Sequence, residues 1–188
     1  MFRAITAFEF RYQISSPIFL VVASLFFLLS FGNVVSDNVQ LAAVGNVNIN
    51  SPDAITQIHQ VMSLIALFVI TAFVAGVVIR DDEYRCKELF FTTQVNKRDY
   101  LLGRLTGAYG VSFATLVFVS LGMYLGTVMP SVDAERLGPQ NLLHYCYVLI
   151  VVVAPNIGFA AALSFALATL SRSLMWSYVG IVCLFLLE

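Results

Sequence analysis

Charged residues are scarce in this chain of 188 residues: they make up 11% of it, against about 25% in soluble globular domains. The formal net charge is -1 and there is no tract of Lys and Arg, which argues against nucleic-acid binding. Cysteine is also rare, since Cys86, Cys146 and Cys183 are single and widely spaced. This spacing argues against a disulfide framework or a cysteine metal site.

Catalytic motifs are missing as well. The only lysines are Lys87 and Lys97, and neither follows a glycine-rich loop that could cradle phosphates. Neither His59 nor His144 belongs to an HExxH motif, so each is predicted to be a helix-end or interface residue. The sequence therefore predicts no ATP-hydrolysing or metal-dependent peptidase activity, no cofactor and no metal in this polypeptide itself.

The chain instead contains long apolar runs. Hydrophobic residues make up 60% of the sequence, and the runs Val61–Ile79 and Leu105–Met129 carry no charge. At about 1.5 Å per helical residue, each run can cross a hydrocarbon core roughly 30 Å thick. We therefore predict an all-α integral membrane protein, a polytopic helical bundle formed by a single transmembrane domain over residues 1–188.

Five apolar segments are predicted as membrane helices, the last one too short to span: 17–35, 55–79, 105–129, 142–170 and 174–188. From this short end we expect the sequence to be a fragment of a longer protein. Residues 1–16 put Ile5, Phe8 and Tyr12 on one helical face, the pattern of an amphipathic helix lying in the membrane interface. The alternative is a frayed cytoplasmic tail.

The basic residues predict the orientation. A cytoplasmic N-terminus puts nine of the ten Lys and Arg residues on the cytoplasmic side and leaves only Arg136 outside. In this arrangement no carboxylate or Lys lies within a predicted span, which disfavours an intramembrane enzyme or a proton-coupled carrier.

Residues 80–104 form a polar island that holds six of the ten basic residues and is predicted as a cytoplasmic hairpin. Its centre is the apolar Leu89-Phe90-Phe91. Two interpretations stay open: these side chains dock a soluble partner, or they fold back onto the membrane interface or onto the N-terminal helix.

Local signals add detail. Ser51-Pro52-Asp53 is a good helix start, and Asn96 is predicted to cap a helix beginning at Lys97. Pro155-Asn156 is expected to interrupt the fourth membrane helix, and Asn156 is the one polar candidate for a substrate contact at membrane depth. Small residues favour close helix packing, either within the chain or in a homodimer; they are Gly103/Gly107, Gly122/Gly126 and Ala160/Ser164/Ala168.

Residues 8–19, FEFRYQISSPIF, and the stretch from Arg80 to Ala108 resemble permease subunits of exporter-type ABC transporters. The resemblance is strongest to the subgroup whose permease precedes a zinc aminopeptidase-like domain. It implies an interface helix with Phe8, Arg11 and Tyr12. It also implies an ATPase-docking coupling helix, whose matching residues are Glu88, Leu89, Phe90, Phe91, Thr92, Thr93 and Lys97. The match departs from the family pattern at Gln94, where proline is usual.

The resemblance further implies a function and partners. A separate cytosolic ABC ATPase would bind ATP and magnesium, a second permease copy or half would complete the transporter, and the location would be a bacterial inner membrane. The chain would couple ATP hydrolysis to export or mechanical work. The rival interpretation is a membrane scaffold that does not transport and only recruits a cytosolic protein through residues 80–104.

Overall fold

The computed structural model describes residues 1–36, 48–83, 96–130, 132 and 134–187, and throughout this part of the chain the regular structure is helical. This confirms the predicted all-α class. The helices are α1 (Phe2–Ile14), α2 (Pro17–Val35), α3 (Pro52–Glu83), α4 (Lys97–Thr127), α5 (Leu142–Ser171) and α6 (Leu174–Leu187). A short 3-10 turn at Ala134–Arg136 lies between α4 and α5.

Four of these helices, α2 to α5, are long and apolar enough to cross a membrane, so the chain is a multi-pass membrane protein. Helix α6 is equally apolar but has 14 residues, fewer than the about 20 that a span requires. The sequence predicted this short last helix from its apolar run.

The helix starts follow from local capping. The Ser51 hydroxyl accepts a hydrogen bond from the Ala54 N–H at 3.2 Å, and α3 begins at the next residue, Pro52. Helix α4 begins at Lys97, as predicted from Asn96, whose carbonyl accepts the Tyr100 N–H at 3.1 Å. The Ser51 cap satisfies a backbone N–H that the first helical turn leaves without a partner, whereas the Asn96 carbonyl makes the first backbone bond of α4.

At Pro155-Asn156 the chain stays helical, and the regular α-helix is interrupted directly before them; the expected kink stays a prediction. Residues Val148–Val153 form π-helical turns directly before the proline, and the Ala154 N–H bonds to the Leu149 carbonyl. Proline has no N–H to donate and its ring crowds the carbonyl four residues earlier. The wider π turn contains that earlier residue, Val151, and so accommodates the proline without ending the helix.

Contacts within the chain divide it into two compact units: one contains Met1–Ser16, Ala66–Ser112 and Ile157–Glu188, the other Pro17–Ile65 and Phe113–Asn156. In the second unit α2 packs closely on α4. A Cβ added to Gly122 would meet the Phe27 carbonyl oxygen at 2.6 Å, and one on Gly126 would meet the Val34 side chain at 2.8 Å. The Gly122/Gly126 pair therefore serves packing within the chain.

His59 also belongs to the second unit and lies seven residues after the start of α3, so it is not at the helix end; its predicted position at an interface stays a prediction. Its side chain is fully buried within α3. One ring nitrogen, Nδ1, lies 2.8 Å from the Ile55 carbonyl, and Nε2 lies 2.8 Å from the Ser120 hydroxyl. In the neutral imidazole Nδ1–H donates to the carbonyl and Nε2 accepts from the hydroxyl, so both nitrogens are satisfied inside the protein.

Candidate functional site

Helix α1 turns two polar side chains, those of Glu9 and Gln13, toward the interior. Glu9 and Gln13 are buried, at 0% and 5% exposure, whereas Phe8 is 60% exposed and Tyr12 is 53% exposed. Phe8 and Tyr12, two of the residues predicted to form an apolar face at the membrane interface, thus lie on the outer side of α1. The arrangement suits a helix in lipid, where polar groups find partners inside the protein and aromatic side chains face outward. The location of α1 in the membrane interface stays a prediction.

Helix α1 runs alongside the first turns of α4. The amino group of Met1 lies 3.8 Å from the Asp99 carboxylate, and the hydroxyl oxygens of Thr6 and Thr106 are 3.0 Å apart. Further along, a Cβ on Gly107 would lie 2.7 Å from the Glu9 Cβ. Successive contacts advance together along both helices, so α1 follows the direction of α4 over about two turns.

The carboxylate of Glu9 binds two arginines from two other helices. Arg80, near the end of α3, donates from Nη2 to both carboxylate oxygens at 3.0 and 2.8 Å. Arg104, in the second turn of α4, donates from Nη1 to Oε2 of the same carboxylate. We call Glu9, Arg80 and Arg104 the charge cluster. It joins three helices through one buried side chain.

Further contacts hold the charge cluster in place. The Gln13 amide donates from Nε2 to Glu9 Oε1 at 2.7 Å and lies 3.4 Å from the Phe73 carbonyl oxygen. The guanidinium of Arg80 stacks over the Tyr12 ring, 4.4 Å from its centroid. Cation–π contacts of this kind contribute about 0.5–1 kcal/mol at exposed sites and more when desolvated.

Burial makes the charge cluster sensitive to the loss of any member. The side chains of Arg104 and Arg80 are 8% and 22% exposed, and that of Glu9 is 0% exposed. Removing one partner of a buried ion pair costs about 3–5 kcal/mol, because the remaining charge stays desolvated without compensation. The arrangement can thus fix the relative position of three helices.

Among the side chains that the structure describes, no group of three or more His, Cys, Asp and Glu residues could hold a metal ion.

The predicted docking residues Glu88, Leu89, Phe90, Phe91, Thr92 and Thr93 lie outside the described residues. Lys97 is exposed at the first position of α4, and Arg11 is exposed on α1. Asn156 is exposed within α5, away from the packed interior of the chain.

Sequence reasoning missed Glu9 as the centre of the site. One signal was present: Glu9 is the only acidic residue among the first 36, and it lies between Phe8 and Phe10. A lone carboxylate in aromatic surroundings needs a buried cationic partner. Its partners are Arg80 and Arg104, the first and last residues of the polar island. The spacing of these residues along the chain does not reveal that they meet Glu9.

No protein-family model matches this chain, and the comparisons with curated proteins and with solved structures found no match.

Proposed function

We propose that this chain is a transmembrane permease subunit of an ATP-driven ABC transporter, located in a bacterial inner membrane. It would couple ATP hydrolysis by a separate cytosolic ATPase, which binds ATP and magnesium, to export or mechanical work. A second permease copy or half would complete the assembly. The resemblance of residues 8–19 and 80–108 to exporter-type permeases is the origin of the proposal.

The observation that carries the proposal is the charge cluster. It ties α1 to the two helices whose ends are connected by residues 84–96, the segment in which the docking residues are predicted. A partner that pushes on this segment would act on α3 and α4 directly and on α1 through Glu9. Such an arrangement suits a part of the molecule that receives force.

Helix length adds support. Helices α3 and α4 have 32 and 31 residues. At 1.5 Å per residue each is about 47 Å long, against a hydrocarbon core of about 30 Å. Both helices thus have length to continue beyond the membrane, which a subunit needs in order to reach a cytosolic partner.

The experiment is a pull-down from membranes that carry the double variant Phe90→Ala/Phe91→Ala. If these side chains dock an ATPase, their loss removes interface anchors worth about 2 kcal/mol or more each. We expect the co-purified ATPase, identified by mass spectrometry and by its MgATP turnover, to be lost while membrane insertion is unchanged. Glu88→Lys should weaken the same contact less, since an exposed ion pair contributes about 0–1 kcal/mol.

The matched control is Leu142→Ala/Leu143→Ala, which removes two apolar side chains that are 60% and 73% exposed on α5. It should leave the ATPase yield unchanged. Retention of the ATPase by the Phe90/Phe91 variant at wild-type yield would show that Leu89–Phe91 is not the docking site. Recruitment of a protein without ATPase activity would favour the scaffold interpretation.

A further inference from the structure

The positions of the two arginines in the chain give the charge cluster a particular significance. Arg80 lies three residues before the end of α3, and Arg104 lies seven residues after the start of α4. These are the two helices that residues 84–96 connect. Both guanidinium groups reach the carboxylate of Glu9, which belongs to a third helix. Glu9, which lies on α1, therefore bridges the two helix ends that residues 84–96 connect.

A carboxylate shared by a buried and a partly buried cation sets the spacing of the helices that carry them. Without Glu9, two guanidinium groups would face each other where water is scarce, and like charges repel more strongly there than in bulk water. Gln13 holds the carboxylate through Oε1, and Arg80 binds both oxygens. The orientation of the carboxylate is thus fixed from three sides, so a displacement of α3 or α4 is passed to α1.

We propose that Glu9 is a positioning residue that makes α1, α3 and α4 move together when a partner acts on residues 84–96. This inference depends on the proposed function. Glu9 does not itself touch the partner: it determines how much of the displacement at the base of α3 and α4 is passed to the N-terminal helix. Its loss should leave partner binding intact and reduce the turnover that binding stimulates.

The first arm of the test needs no partner. Spin labels at Ala7 on α1 and Arg98 on α4, both exposed in the structure, report the distance between the two helices in the purified full chain. Glu9→Gln should broaden this distance distribution and lower the melting temperature. The control Glu135→Gln changes an exposed carboxylate at the 3-10 turn and should change neither quantity.

The second arm measures MgATP turnover in the complex with the ATPase that the pull-down identifies. For Glu9→Gln we expect turnover to fall about tenfold, the equivalent of about 1.4 kcal/mol, with ATPase affinity unchanged. The double variant Glu9→Gln/Arg80→Gln restores the original net charge of the charge cluster without restoring the bridge. It should recover the melting temperature but not the turnover.

Two outcomes would overturn the proposal. One is a wild-type distance distribution in Glu9→Gln. The other is full recovery of turnover in the double variant, because charge balance alone would then account for the role of Glu9. If no ATPase binds the wild-type chain at all, the proposed function fails, and the spin-label arm still decides whether Glu9 holds the three helices together.

Discussion

At the residue scale, the close approach of α1 to α4 depends on Gly107, which has no side chain. A Cβ on Gly107 would lie 2.7 Å from the Glu9 Cβ and 3.1 Å from the Thr6 carbonyl oxygen. Only glycine lets the two backbones come near enough for Glu9 to reach Arg104. The small-residue pair Gly103/Gly107 thus serves packing within the chain, the first of the two alternatives that the sequence left open.

We predict that Gly107→Ala destabilises the protein by about 1–3 kcal/mol, the usual cost of forcing extra atoms into a packed contact. The matched control is Gly76→Ala in α3, where an added Cβ would meet no heavy atom within 4 Å. That change should be neutral or stabilise by about 0.5–1 kcal/mol, since alanine favours the helix. Thermal unfolding in detergent, followed by Trp176 fluorescence, compares the two. Equal shifts in melting temperature would contradict this account of Gly107.

At the element scale, helix starts were readable from the sequence because they are local. Pro52 follows a hydroxyl cap and Lys97 follows Asn96, and each signal acts within one helical turn. The π-helical turns before Pro155 were not readable, because a proline in a long apolar run can break a helix or be accommodated within it. The choice depends on packing over the whole helix, which the local sequence does not encode.

The side chain of Asn50 joins the segment before α3 to the segment before α5, through a pair of hydrogen bonds to the backbone of Gly138. The Asn50 amide donates from Nδ2 to the Gly138 carbonyl at 2.7 Å, and its Oδ1 accepts the Gly138 N–H, also at 2.7 Å. A second link connects the Ile49 N–H to the Arg136 carbonyl at 3.0 Å. Asn50 is buried and its bonds to Gly138 are partly buried. Asn50 and Gly138 are 88 positions apart, so the sequence does not indicate that they meet.

We predict that Asn50→Ala destabilises this connection by about 1–3 kcal/mol, because two backbone groups of Gly138 lose their partners. Gln140→Ala, an exposed change in the same segment as Gly138, serves as the control. Limited proteolysis should cleave Asn50→Ala faster than wild type around residues 136–141 and leave the control at the wild-type rate. Unchanged cleavage of Asn50→Ala would mean that the Asn50 amide does not hold the two segments together.

At the scale of the whole molecule, the composition of the sequence predicts the fold class but does not predict the charge cluster. Long uncharged runs specify membrane helices because each residue contributes independently to the transfer into lipid. In the charge cluster, Glu9 lies 71 positions from Arg80 and 95 positions from Arg104 along the chain. Pairings over such distances arise from the packing of helices, and a single sequence records the residues without recording which helices meet.

The last prediction concerns orientation, which also belongs to the whole molecule. If most basic residues lie on the cytoplasmic side of the membrane, as the sequence predicts, Asn96 faces the cytosol and Glu135 faces the opposite side. Both residues are exposed in the structure. In a background with Cys86, Cys146 and Cys183 replaced by serine, a membrane-impermeant maleimide should label Glu135→Cys in intact cells. It should label Asn96→Cys only after the membrane is permeabilised, and the serine background provides the unlabelled control. Labelling of Asn96→Cys in intact cells would reverse the topology, put residues 84–96 outside, and remove the basis for a cytosolic partner on that segment.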